Sequence, residues 1–125
     1  MAKNIFVVED DPNILEVIPL VLNKKDYDFF LCRSIDSFHG AILKRIPDLI
    51  IMEILLPGGN VLELCRLLKA RLEDSTKILL MSTADYSSFQ YADCADEFIR
   101  KPFDIEHFRG AVSVLLACHN KVSLN

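Results

Sequence analysis

Pro47-Asp48-Leu49-Ile50-Ile51-Met52-Glu53-Ile54-Leu55-Leu56-Pro57-Gly58-Gly59-Asn60 is the stretch on which the reading of this 125-residue chain turns. Four large apolar residues, Leu49 to Met52, stand between a Pro-Asp break and a carboxylate. A short apolar link and a Pro-Gly-Gly break follow. A run of that length bounded by turn residues suits a strand covered on both faces, and such strands belong to parallel sheets. Open α/β sheets bind ligands beyond the carboxyl ends of their strands, so Glu53 stands where chemistry is expected. From about Asn60 to Leu72 the apolar spacing becomes helical.

Working back toward the start, Asn4 to Val8 is a β-rich run that ends in Glu9-Asp10-Asp11-Pro12. Asp11 is a suitable helix N-cap and Pro12 a suitable first helical residue. Ile14, Leu15, Ile18, Val21 and Leu22 then follow helical spacing. Pro19 removes the hydrogen bond to the Leu15 carbonyl and is expected to kink that helix, at a cost of about 3 kcal/mol in an ideal one. Tyr27 to Cys32 reads as a second strand. Ser34 or Asp36 caps a helix through Phe38, Ala41, Ile42 and Ile46, stopped by Pro47.

Working forward, Lys77 to Met81 is a fourth buried strand that ends at Ser82-Thr83-Ala84. The segment Asp85 to Cys94 has room for two helical turns at most. Glu97 to Ile99 is a brief fifth strand that runs into Arg100-Lys101-Pro102-Phe103, and Asp104 caps a last helix. That helix carries Ile105, Phe108, Val112, Leu115 and Leu116 on one face. Strand and helix alternate five times, which predicts one α/β domain over residues 1–125, a parallel sheet with helices on both sides.

Composition narrows the function. The chain is 51% hydrophobic and 26% charged, which is globular and excludes a disordered or fibrous chain. A net charge of −4 argues against a nucleic-acid partner and against an anionic membrane surface. Apolar runs are too short to span a bilayer and no secretory pattern opens the chain, so a cytoplasmic protein is expected. Cys32, Cys65, Cys94 and Cys118 are scattered without a Cys-x-x-Cys pair, which gives neither metal nor redox spacing. They read as small buried hydrophobes. His39, His107 and His119 share no cluster and read as solvated.

Four strand ends carry polar groups: Glu9-Asp10, Glu53, Thr83 and Lys101. In a doubly wound sheet these converge on one edge, gathering three carboxylates, a hydroxyl and an ammonium in one cleft. Clustered carboxylates call for a compensating cation, and a hard divalent ion with oxygen ligands is the natural guest.

Taken in register, four motifs resemble the response-regulator receiver domain of two-component signalling. They are Val-Val-Glu-Asp-Asp-Pro, Pro-Asp-Leu-Ile-Ile-Met-Glu-Ile-Leu-Leu-Pro, Ser-Thr-Ala and Lys-Pro-Phe, and the likeness covers essentially the whole chain. The resemblance implies a flavodoxin-like, doubly wound five-stranded sheet of order 2-1-3-4-5 with a shortened fourth helix. It implies that Glu9 and Asp10, with Glu53 and the Leu55 carbonyl, form the Mg²⁺ site, the ion being held weakly or not at all. It places Glu53 at the phosphoacceptor position, normally an aspartate that takes a phosphoryl group from a histidine kinase. Thr83 and Lys101 resemble the hydroxyl and ammonium that grip the phosphoryl oxygens, and Phe98 the aromatic that changes rotamer with Thr83. The Lys101–Pro102 bond is expected to be cis.

Three departures stand out against that pattern. Glu53 sets the carboxylate one methylene farther from the backbone, and a misplacement of about 1 Å costs on the order of 10²-fold in such a transfer. Val61 replaces a glycine, and Thr83 to Lys101 is about one helical turn short. Glu53 therefore has three readings: an ion-paired residue without chemistry, a mimic of the phosphorylated aspartate, or a phosphoacceptor. Thr83 and Lys101 read equally as a turn residue and a salt-bridge partner, and Phe98 as a part-buried strand aromatic. Tyr86, Phe89 and Tyr91 either cover the missing turn or form an exposed patch. The expected role is a non-enzymatic signalling module, a pseudo-receiver that contacts a histidine kinase or a downstream protein, or pairs as a homodimer. The alternative is a working Mg²⁺-dependent phosphorelay receiver. A nucleotide or cofactor binder is disfavoured, because Glu-Asp-Asp-Pro stands where a phosphate cradle needs glycines.

Overall fold

Strands and helices alternate through the computed structural model, which describes residues 2–23 and 25–122. The order is β1 (Lys3–Val8), α1 (Pro12–Val21), β2 (Tyr27–Cys32), α2 (Ile35–Lys44), β3 (Leu49–Glu53) and α3 (Val61–Leu72). After a 3-10 turn (Glu73–Ser75) come β4 (Lys77–Ser82), α4 (Ser88–Tyr91), β5 (Glu97–Arg100) and α5 (Ile105–Val122). The five strands are all parallel, in the order β2-β1-β3-β4-β5. This is the doubly wound topology that the resemblance implies.

Alternation along the strands builds two cores, because successive side chains point to opposite faces. Phe6, Val8, Ile50, Met52, Ile78 and Leu80 join Phe38 of α2 and Val61 and Cys65 of α3 on one face. Ile5, Val7, Leu49, Ile51, Leu79 and Met81 join Ile18 of α1 and Phe108 and Val112 of α5 on the other. Every residue of β3 is buried, as a central strand covered on both faces requires. Register brings the carboxyl ends level: Val8 pairs with Cys32 and Met52, Glu53 with Met81, and Ser82 with Arg100.

Local signals set most boundaries. Asp11 caps α1 by accepting from the Asn13 N–H, and Ser34 forms a capping box with Ser37 at the start of α2. Asp36 is therefore inside the first turn and is not the cap. Asn60 caps α3 through the Glu63 N–H at 3.1 Å, and Asp104 caps α5 through the His107 N–H at 3.0 Å.

α1 runs through Pro19 to Val21, the proline falling in its last turn. Two expectations need correction. α2 stops at Lys44, so Ile46 lies outside it and is 59% exposed. The residue before a proline is pushed out of helical geometry, and the break spreads back from Pro47. Ile105, expected on the inner face of α5, is 48% exposed at the first helical position, whereas Phe108, Val112, Leu115 and Leu116 are buried. Cys32, Cys65 and Cys94 are buried free thiols, and His39 and His107 are exposed. The side chains of Cys118 and His119 lie outside the described residues. Among the described residues, no helix is long and apolar enough to cross a membrane.

Candidate functional site

Each side chain of the site is delivered by the end of a strand. Glu9 follows β1, and its N–H bonds the Cys32 carbonyl at 3.0 Å, carrying the ladder one step past the strand. Glu53 is the last residue of β3. Lys101 follows β5, and its N–H bonds the Ser82 carbonyl at 2.8 Å, which draws the chain in against β4. Glu9 and Glu53 are both buried, at 1% and 5% exposed. The Lys101–Pro102 bond is cis, as expected.

The Lys101 ammonium spans the two buried carboxylates. Its Nζ lies 2.5 Å from Glu9 Oε1 and 2.5 Å from Glu53 Oε1. The remaining carboxylate oxygens accept from backbone: Glu9 Oε2 from the Asp11 N–H at 3.2 Å, Glu53 Oε2 from the Leu55 N–H at 2.9 Å. Each buried anion thus has one oxygen on a cation and one on an amide, which is how buried charge is kept satisfied. Burial pushes the Glu9 carboxyl above its ordinary 4.5, although Lys101 and the Asp11 N–H pull it down. Burial also pulls the Lys101 ammonium down, but its hydrogen bonds to Glu53 and Glu9 outweigh this and hold it above 10.5.

The other residues named from the sequence stay on the water side of this triad; Asp10 meets it only through Glu9, whose carboxyl its side chain helps to raise. Asp10 is exposed and lines an open cleft of about 740 Å³ with Leu55, Pro57, Asn60, Val61 and Tyr86. Thr83 is exposed, and its hydroxyl has no hydrogen bond among the described residues; its carbonyl accepts from Arg100 Nε at 3.3 Å. Of the five groups expected in one cleft, Glu9, Glu53 and Lys101 meet directly, Asp10 touches the cluster through Glu9 alone, and Thr83 stays outside it. With Lys101 answering both desolvated carboxylates, nothing draws Asp10 or Thr83 out of water. The Leu55 N–H serves Glu53, while its side chain is 57% exposed.

The Mg²⁺ implied by the resemblance needs several oxygen donors around one point. Among the described residues, no group of three or more His, Cys, Asp or Glu side chains is placed to hold a metal ion. The donor chemistry suits a hard cation, but the residues as arranged do not fit it, because an internal ammonium already spans the buried carboxylates.

The short α4 leaves β5 to be covered by aromatic rings. Phe98 is half-buried, its ring centroid 5.6 Å from that of Tyr86 and 5.9 Å from that of Tyr91. Phe89 on the same turn is 94% exposed. Two of the three aromatics therefore fill in for the missing turn and the third faces water. Val61 is buried at the start of α3, after a turn in which Gly58 adopts a φ of +94° that favours glycine.

Sequence reasoning missed Ser82 and Arg100. The fully buried Ser82 Oγ accepts from the Ala84 N–H at 3.2 Å, a local turn that holds Thr83 in place. A serine two residues before the donor amide is a readable signal for it. Arg100 had none, because its partner lies in another strand end.

Comparison with known proteins agrees with this architecture. The response regulator receiver domain family matches residues 5–113. A curated relative, the DNA-binding response regulator MtrA of Mycolicibacterium smegmatis, is 31% identical over 107 residues, covering 82% of this chain and 46% of the relative. The chain thus spans about half the length of the curated relatives it matches. A CheY-like receiver domain from Methanospirillum hungatei JF-1 superposes with a TM-score of 0.86 at 22% identity, covering 97% of this chain and 98% of that one. That likeness concerns the fold. A putative response regulator from Chloroflexus aurantiacus J-10-fl reaches a TM-score of 0.82 at 26% identity, covering 94% and 99%. Sheet order, strand-end chemistry and a family match across most of its length lead to one conclusion: this chain belongs to the response regulator receiver domain family.

Proposed function

We propose that this receiver domain is a non-enzymatic module of two-component phosphorelay signalling that works by protein–protein contact, without phosphorylation at its acceptor position. One observation carries the reading: Glu53 is held by Lys101 Nζ on one oxygen and by the Leu55 N–H on the other. In-line phosphoryl transfer needs an aligned, available carboxylate oxygen, and both oxygens here are committed at the end of a longer side chain. Mg²⁺ is held weakly or not at all, since it must displace an ammonium already paired with Glu9 and Glu53. A histidine kinase or a downstream signalling protein is the partner class, with self-association as a homodimer.

The phosphomimetic reading has one observation in its favour. Lys101 grips Glu53, the contact that the resemblance assigns to phosphoryl oxygens. Thr83, the second grip, remains in water, so the mimicry is incomplete and the silent reading stands first. The MtrA relatives are named as DNA-binding, but the net charge of −4 favours protein contact for this domain. A cytoplasmic setting goes with this role.

Titration of the domain with Mg²⁺ and then beryllofluoride, followed by backbone NMR shifts, tests the proposal. No shifts specific to the two additives together are expected at Asp10, Thr83 or Lys101. Shifts there that need both would overturn it. Glu53→Asp is expected to restore the response.

A further inference from the structure

We propose that the space between α2 and the β2 edge of the sheet is a binding site for a small carboxylate with a flat, apolar body. It lies away from the Glu53 cluster and does not depend on how that cluster works. The space measures about 460 Å³, within the range of small-molecule sites, about 300–1,000 Å³. Its floor is aromatic: Phe30, half-buried on β2, with Phe6 behind it at a centroid distance of 5.3 Å. Its wall is the face of α2 that carries Gly40 and Ala41.

The space follows from the sequence at that face. A Cβ built on Gly40 meets nothing within 4 Å, so the glycine is not there to admit a neighbouring atom. β2 is an edge strand with a sheet neighbour on one side only, so the short α2 is left to cover its outer part.

The mouth is cationic. Arg45 places its guanidinium 4.6 Å over the Phe30 ring and donates from Nη1 to Asn4 Oδ1 at 3.3 Å. Lys44 is exposed and pairs with no described residue. Among the described residues, no acidic one lines the space, in a chain whose net charge is −4. Two adjacent cations above an aromatic floor fit an anionic group on an apolar body. A carboxylate is matched by the planar fork of Arg45, and a flat apolar body by the surface that the Phe30 ring edge shares with Gly40 and Ala41. A sugar phosphate fits poorly, because the one lining side-chain hydroxyl, Ser37 Oγ, already donates to the Ser34 carbonyl at 3.1 Å and the rest of the wall is Phe30, Phe6, Gly40 and Ala41.

Titration of the ¹⁵N-labelled chain with 1-naphthoate, with neutral 1-naphthamide as control, tests this site. Saturable amide shifts are expected at Phe30, Gly40, Ala41, Lys44 and Arg45, with the amide binding at least about tenfold more weakly. Gly40→Leu puts a side chain into the space and is expected to weaken naphthoate binding at least about tenfold. Lys44→Gln combined with Arg45→Gln should erase the preference for the acid, and this surface pair decides the matter if Gly40→Leu fails to fold. The absence of saturable shifts at millimolar naphthoate, equal binding of the amide, or undiminished binding by the variants would overturn the proposal.

Discussion

Lys101 Nζ lies 2.5 Å from Glu53 Oε1, joining the last residue of β3 to the residue after β5 across the end of β4. The same nitrogen reaches Glu9 after β1, so one ammonium ties three strand ends together. A buried ion cluster of this kind contributes less through attraction than through what happens when one member is removed.

Removing the cation is the strongest perturbation. Lys101→Met leaves Glu9 and Glu53 buried without their counter-charge, and a loss of about 3 kcal/mol or more is expected in urea unfolding at neutral pH. Adding Glu9→Gln to that variant is expected to recover part of the loss. Additive effects of the two changes would show that they are not coupled.

The same cluster sets a pH dependence. Glu9 is raised in the folded state, so its contribution is full below its ordinary 4.5 and is lost as pH rises through the higher folded value. Lys101 is also raised, so its contribution is full below 10.5 and is lost as pH rises through its folded value. Urea midpoints measured against pH should fall in each window. Glu9→Gln should flatten the acid step and Lys101→Met the alkaline one.

Glu53→Asp shortens the side chain, which then cannot hold Lys101 and the Leu55 N–H together. A loss of about 1 kcal/mol is expected, with faster hydrogen exchange at the Leu55 amide. Unchanged exchange at Leu55 would mean that the shorter carboxylate still reaches.

The aromatic cover of β5 separates packing from exposure. Tyr91→Ala uncovers Phe98 and is expected to cost about 1–2 kcal/mol. Phe89→Ser, one turn position away and 94% exposed, is expected to stay within about 0.5 kcal/mol of the parent chain. Thermal or urea unfolding of the two variants side by side checks the contrast.

A buried polar contact between the segments that lead into β3 and β4 gives a further prediction. Thr76 Oγ1 donates to the Pro47 carbonyl at 2.6 Å and is buried. Thr76→Val leaves that carbonyl unsatisfied and is expected to cost about 1–3 kcal/mol in urea unfolding.

Most of the fold was legible because its causes are local. Tyr27 to Cys32, the Asp11-Pro12 helix start and the all-apolar run before Glu53 each carry a period or a cap within a few residues. The misread positions share another feature. Ile46 and Ile105 are apolar residues at helix ends, where spacing says which face they share but not whether the helix reaches them or what covers them.

By itself the sequence determined the alternation of strands and helices, the polar group at each strand end and the glutamate at the acceptor position. Only the tertiary structure decided which of those polar groups meet. Glu9 and Lys101 are 92 residues apart, and their contact depends on strand order and register, which bring β1, β3 and β5 to one edge. Once that edge is formed, desolvation makes the choice. The two carboxylates that are buried take the ammonium, while Asp10, in touch with Glu9 alone, and Thr83 stay where water reaches them.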